Sequence, residues 1–187
     1  QPAHAQLELL QSTQLATTGQ PLLRHAVEWV TLYGREAMQM KATVVDSDSP
    51  DHSLSWRDVP DPPCGSEEVL VDIHATAVNR ADLLQRSGHY PPPPGASPYL
   101  GLEMSGTVAA VGASATGWQP GDRVCALLAG GGYAEKTTVH HQMLVPVPDD
   151  WSFTTAAAVP EVFYTAFLNL FLEADLKSGE TVLIHGG

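Results

Sequence analysis

Between Met40 and Pro148 the chain alternates short β-branched, apolar segments with glycine and proline turns, a pattern that restricts it to a compact barrel or sandwich of short strands. Residues 42–45 open the series. Residues 54–58 form a second candidate strand, closed by Pro60-Asp61-Pro62-Pro63. In residues 69–78, Val71, Ile73, Ala75 and Ala77 fall on one face and Asp72, His74 and Thr76 on the other, as in a half-buried strand. Residues 104–111 and 123–127 are joined through Gly117, Pro120 and Gly121. After Gly130-Gly131-Gly132 comes a strand over 133–139, and residues 144–148 leave the barrel. The triple glycine is followed by neither a helix nor a lysine, so it reads as a strand-linking turn and not as a phosphate loop.

Beyond residue 150 the period changes. Ser152 is placed to cap a short helix over 154–158, Pro160 interrupts it, and 161–173 predict an amphipathic helix with Phe163, Ala166, Phe167, Leu170 and Phe171 inward. Residues 181–184 then read as an apolar strand running into Gly186-Gly187, the way a dinucleotide-binding unit begins. The helix expected to hold a pyrophosphate lies beyond Gly187, so the chain reads as a fragment; the absence of an initiating methionine at Gln1 points the same way. A lone strand at 181–184 is expected to pair with another chain or to aggregate. Residues 1–39 are a separate extension: either a helical hairpin that docks on a partner, or an upstream segment that is partly disordered or foreign to the natural product.

Composition excludes several classes. A formal net charge of −12, from 21 acidic and 9 basic residues, with no basic cluster, argues against nucleic acid or an anionic membrane as partner. No apolar run approaches the roughly 20 residues that span a bilayer. No secretory signal is visible, so a cytoplasmic protein is expected. Cys64 and Cys125 stand far apart and suggest neither a disulfide framework nor a zinc ribbon. The eight histidines show no ligand spacing.

The most informative stretch is Asn79-Arg80-Ala81-Asp82-Leu83-Leu84-Gln85-Arg86-Ser87-Gly88-His89-Tyr90-Pro91-Pro92-Pro93-Pro94-Gly95, followed by Tyr99-Leu100-Gly101-Leu102-Glu103-Met104-Ser105-Gly106. It resembles the NADPH:quinone oxidoreductase branch of the medium-chain dehydrogenase/reductase superfamily, the group of the zeta-crystallin-like and tumour-protein-inducible quinone reductases. The likeness runs from about Met40 to Gly187. It implies a mainly β GroES-like barrel over residues 40–160, C-terminal helices, and the first strand of an incomplete α/β Rossmann domain over 161–187.

Zinc alcohol dehydrogenases carry a cysteine where this chain has Asn79-Arg80-Ala81-Asp82, and Gly-His-Glu where it has Gly101-Leu102-Glu103. Leucine cannot ligate and no cysteine is near, so no metal is expected. Hydride transfer from a nicotinamide then needs an acceptor that is already electron-poor, such as a quinone or an α,β-unsaturated carbonyl, which the protein binds and orients. The resemblance places Asn79 and Tyr90 at the nicotinamide end of the cleft as catalytic residues. It adds Asn79, Thr165, Gly186 and Gly187 as contacts to NADPH. Taken from the residues alone, Asn79 could instead be a left-handed turn residue, Tyr90 a ring packed on Pro91–Pro94, and Thr165 a mid-helix threonine bonded to its own i−4 carbonyl. Leu84 departs from relatives that carry tyrosine there. Glu103 has no partner visible in sequence; Gly101 and Gly106 suggest close backbone approach. The expected activity is NADPH-dependent quinone reduction by a full-length homodimer, the fragment alone being inactive. An enone or 2-alkenal reductase and a non-catalytic GroES-like interaction module remain as alternatives.

Overall fold

The computed structural model describes residues 39–46 and 48–185; the extension expected before residue 39 lies outside them, as do Gly186 and Gly187. Seven strands form. An antiparallel hairpin pairs β1 (Gln39–Val45) with β2 (Leu54–Pro60). The second sheet has the order β6-β3-β4-β5-β7, built from β3 (Glu68–Thr76), β4 (Glu103–Val111), β5 (Arg123–Leu127), β6 (Lys136–His140) and β7 (Val145–Pro146), all antiparallel. The segment just before β6 joins the two sheets. There Thr43 N donates to Tyr133 O (2.8 Å), Glu135 N to Lys41 O (2.8 Å), and Ile73 N to Glu135 O (2.8 Å).

The alternation in β3 follows the expected faces: Val69 and Val71 are buried while Asp72, His74 and Thr76 are exposed. Val69, Val71, Met104, Val108, Val124, Ala126, Val139 and Leu144 form the main core. Each fully buried valine contributes about 1.5–3 kcal/mol relative to exposure. A smaller cluster of Met40, Ala42 and Ala134 fastens the hairpin. Close backbone approach is real at both expected glycines. A Cβ on Gly106 would lie 2.1 Å from Asp72 O, and one on Gly101, whose φ is +104°, would lie 2.5 Å from Tyr133 N. Gly130-Gly131-Gly132 is a linker between strands, held by Gly131 N to Tyr99 O (2.8 Å) and Gly132 N to Gly101 O (3.0 Å).

Three expectations change. Residues 144–148 do not leave the sheet at once, because Val145 and Pro146 pair with Cys125 and Val124, a proline being tolerated on an edge strand. The helix expected over 161–173 is α3 (Pro160–Phe167) followed by a wide π-type turn over Leu168–Glu173. Asn169 Nδ2 takes the Thr165 carbonyl (2.7 Å), the acceptor that a regular helix reserves for the Asn169 backbone N–H, and Ala174 N reaches back to Asn169 O (3.0 Å). Pro160 starts this helix at its first position, where its missing N–H costs nothing, and does not interrupt one. Third, residues 181–184 form no ladder with the described residues, and Val182, Leu183 and Ile184 are exposed. A strand is defined by its cross-strand partners, and here none reaches it.

Candidate functional site

The helix α1 (Arg80–Arg86) begins at Asn79, whose extended backbone (φ −113°, ψ 155°) makes it an N-cap residue and not a left-handed turn. Asp82 in the first turn accepts the Asn79 backbone N–H (2.7 Å) and favours the positive end of the helix. The same Oδ2 accepts the Tyr133 hydroxyl (2.8 Å), so α1 is tied to the strand-linking segment. Asp82 is 2% exposed, and its Oδ1 is buried without a hydrogen-bond partner.

Glu103 opens β4 at 1% exposure. Both carboxylate oxygens are engaged: Oε1 accepts Asn79 Nδ2 (2.8 Å) and Oε2 accepts the backbone N–H of Glu161 (2.9 Å) in the first turn of α3. Its carbonyl accepts the Thr76 hydroxyl (2.7 Å). A buried carboxylate must be paired to be tolerated, and here its partners come from the start of α1 and the start of α3, while the end of β3 binds the main-chain carbonyl of the same residue. Sequence reasoning left Glu103 without a partner because Asn79 and Glu161 stand 24 and 58 residues away.

This knot of acids shapes its neighbours. Burial, then the carboxylates of Glu103 and Asp82, raise the Glu161 carboxyl above its ordinary value. The Tyr133 phenol is raised far above its usual range, first by burial and then by its bond to Asp82, so it stays protonated. Burial and the field of Glu103 also raise the Cys125 thiol, which makes it a poor nucleophile.

The expected site residues are distributed as follows. Asn79 is half-buried with its amide nitrogen held by Glu103. Thr165 is exposed on α3, one turn beyond Glu161 and on the same helix face, so Glu103 links the segments carrying Asn79 and Thr165. Tyr90 is 49% exposed on the loop after α1, and no described hydrogen bond joins it to Asn79 or Thr165. Its loop folds back at Pro93–Ala96, where Ala96 N donates to Pro93 O (3.1 Å) across Gly95 at φ +84°. Of the expected inward stripe, Phe163, Ala166, Phe167 and Phe171 are exposed, Phe163 at 62%, and Leu170 is half-buried; α3 rests on the body through Pro160, Glu161 and Tyr164 instead.

Two further features frame the site. The short helix α2 (Phe153–Ala157) is capped by Ser152, whose Oγ accepts Thr155 N (3.0 Å), and is tied to β4 by Ser105 Oγ donating to Phe153 O (2.6 Å). A groove of about 670 Å3, lined by Met40, Asp61, Tyr99, Leu127, Lys136 and Val139 among others, includes none of Asn79, Tyr90 or Thr165. Among the described residues no group of three or more His, Cys, Asp or Glu side chains could hold a metal ion. Leu102 has no donor atom, and both Glu103 oxygens face N–H groups. No described helix is long and apolar enough to cross a membrane.

Residues 65–149 match the alcohol dehydrogenase GroES-like domain. The chain is 34% identical over 171 residues to quinone oxidoreductase of Mus musculus, covering 90% of this chain and 46% of that protein. Among solved structures it is similar to the human synaptic vesicle membrane protein VAT-1 homolog-like protein (TM-score 0.70, 34% identity, 76% of this chain and 46% of that one). It is also similar to the CurK enoyl reductase (TM-score 0.69, 27% identity, 76% and 45%). The chain thus spans less than half the length of these relatives.

Proposed function

We propose that the chain, through its match to the alcohol dehydrogenase GroES-like domain and its likeness to quinone oxidoreductase, is part of a medium-chain dehydrogenase/reductase and serves a zinc-free, NADPH-dependent quinone oxidoreductase of the zeta-crystallin-like type. The observation that carries this reading is the Asn79–Glu103–Glu161 knot. It adjoins Leu102, where the resemblance puts the ligand histidine of zinc alcohol dehydrogenases, and its carboxylate is taken up by N–H groups, so carbonyl activation falls to the acceptor's own electron deficiency.

When bound, a reduced nicotinamide supplies the hydride. Asn79, held rigid at its amide nitrogen by Glu103, and Thr165, on the helix pinned by the same carboxylate, are the contacts in this part of the chain; Gly186 and Gly187 are assigned to the phosphate side. Tyr90 provides an exposed phenol that can orient an acceptor oxygen or donate to it. Tyr133 is not that donor, since its hydroxyl is committed to Asp82. The reading includes a cytoplasmic homodimer in the full-length protein.

A second reading, reduction of an enone or 2-alkenal, uses the same residues, and the likeness to the CurK enoyl reductase favours it. An NADPH fluorescence titration, followed by oxidation with 1,2-naphthoquinone and with an enone, separates the two. The titration is run on this chain and on the full-length gene product. Binding and quinone turnover in the full-length product support the proposal, and preference for the enone moves the assignment to the second reading. Silence with both acceptors removes the enzyme and leaves the domain as an interaction module.

A further inference from the structure

We propose that Glu103 is a positioning residue whose carboxylate fixes which way round the Asn79 carboxamide stands and spaces Asn79 against α3; its relevance to catalysis rests on the reading of Asn79 and Thr165 given above. A carboxylate offers acceptors on both oxygens and no donor. Asn79 must therefore present its nitrogen to Oε1, as it does at 2.8 Å. The other oxygen receives a main-chain N–H, from Glu161 at 2.9 Å, which has no second orientation. The orientation of Asn79 is thus imposed by its partner. The burial of Glu103 keeps water from substituting for either bond.

This arrangement makes Glu103→Gln an informative variant. A glutamine amide has one acceptor and one donor end. Its oxygen must stay with the fixed Glu161 N–H, which turns its nitrogen toward Asn79. The Asn79 carboxamide then rotates by half a turn to offer oxygen, and both hydrogen bonds survive with Asn79 inverted. Glu103→Ala, by contrast, removes both bonds and leaves two donors and a void.

Side-chain amide NMR of this chain reads the difference directly. In the wild type, one Asn79 Nδ2 proton exchanges slowly with water. In Glu103→Gln its exchange rises about tenfold, the worth of one hydrogen bond, while the Glu161 amide stays protected and melting changes little. In the full-length protein, the same variant raises the KM for NADPH more than it lowers kcat. Unchanged Asn79 exchange in Glu103→Gln, or a loss of stability equal to that of Glu103→Ala, overturns the proposal and leaves Glu103 a purely structural acid. If wild-type protein does not bind NADPH, the functional reading falls, while the NMR result decides the positioning role independently.

Discussion

The end of the sheet around Glu103 and the outer face of α3 are built on opposite terms. At Glu103 two carboxylates are deeply buried and the polar groups are nearly all paired: the carboxylates, a half-buried amide, a half-buried phenol and two backbone N–H groups satisfy one another. On α3 and the turn after it, Val162, Phe163, Phe167, Leu168, Phe171 and Leu172 lie exposed with nothing among the described residues covering them. An apolar face this extensive is unusual on the surface of a soluble monomer. One region holds its shape by internal pairing, whereas the other rests on the body through Pro160, Glu161 and Tyr164 alone among the described residues of α3. Thr165 lies on that second region, so its placement depends on the first.

The largest effect that would break this contrast is Glu103→Ala. Orphaning Asn79 Nδ2 and the Glu161 N–H is expected to cost about 3 kcal/mol in urea unfolding. A loss under about 1 kcal/mol would show that the knot is replaceable by water. Gly106→Ala tests the sheet beneath it. The added methyl meets the Asp72 carbonyl, and opening the β3–β4 ladder should cost about 2 kcal/mol or prevent folding. Tyr133→Phe leaves the buried Asp82 one donor short, with an expected loss of about 1.5 kcal/mol on thermal melting.

A pH effect sharpens the comparison at the border of the two regions. The folded value of Glu161 is raised, so the folded chain holds that proton more tightly, and this contribution to stability is full below 4.5 and lost as pH rises through the folded value. Glu161→Gln should therefore raise the melting temperature at pH 7 and change little at pH 4. The smallest effect on folding belongs to the open face. Phe163→Ser with Phe167→Ser should alter stability by less than about 0.5 kcal/mol while reducing self-association in light scattering; a larger loss would mean that α3 is already packed.

Much of the body was legible in the sequence, because β-branched alternation and glycine punctuation are local signals; β5 was readable to the residue, and β3 showed its two faces. The helix after Pro160 was readable as amphipathic, but a stripe at helical spacing says only that an apolar face exists, not what covers it. Its break into a π-type turn coincides with the Asn169 amide bonding the Thr165 carbonyl, a detail no periodic pattern announces. Asn79 drew attention through its motif. The reason for its orientation, Glu103, did not, since bonds between residues 24 and 58 positions apart leave no periodic trace.

The loop carrying Tyr90 has a consequence for how such a protein can diversify. It is anchored at one end by His89 N on Leu84 O (2.8 Å) and at the other by Tyr99, whose carbonyl receives Gly131 N (2.8 Å), while residues 88–95 are all exposed. Changes of length or sequence there disturb neither the core nor the acid knot. The loop is an interchangeable cassette, whose length and sequence can vary while the scaffold behind it stays untouched.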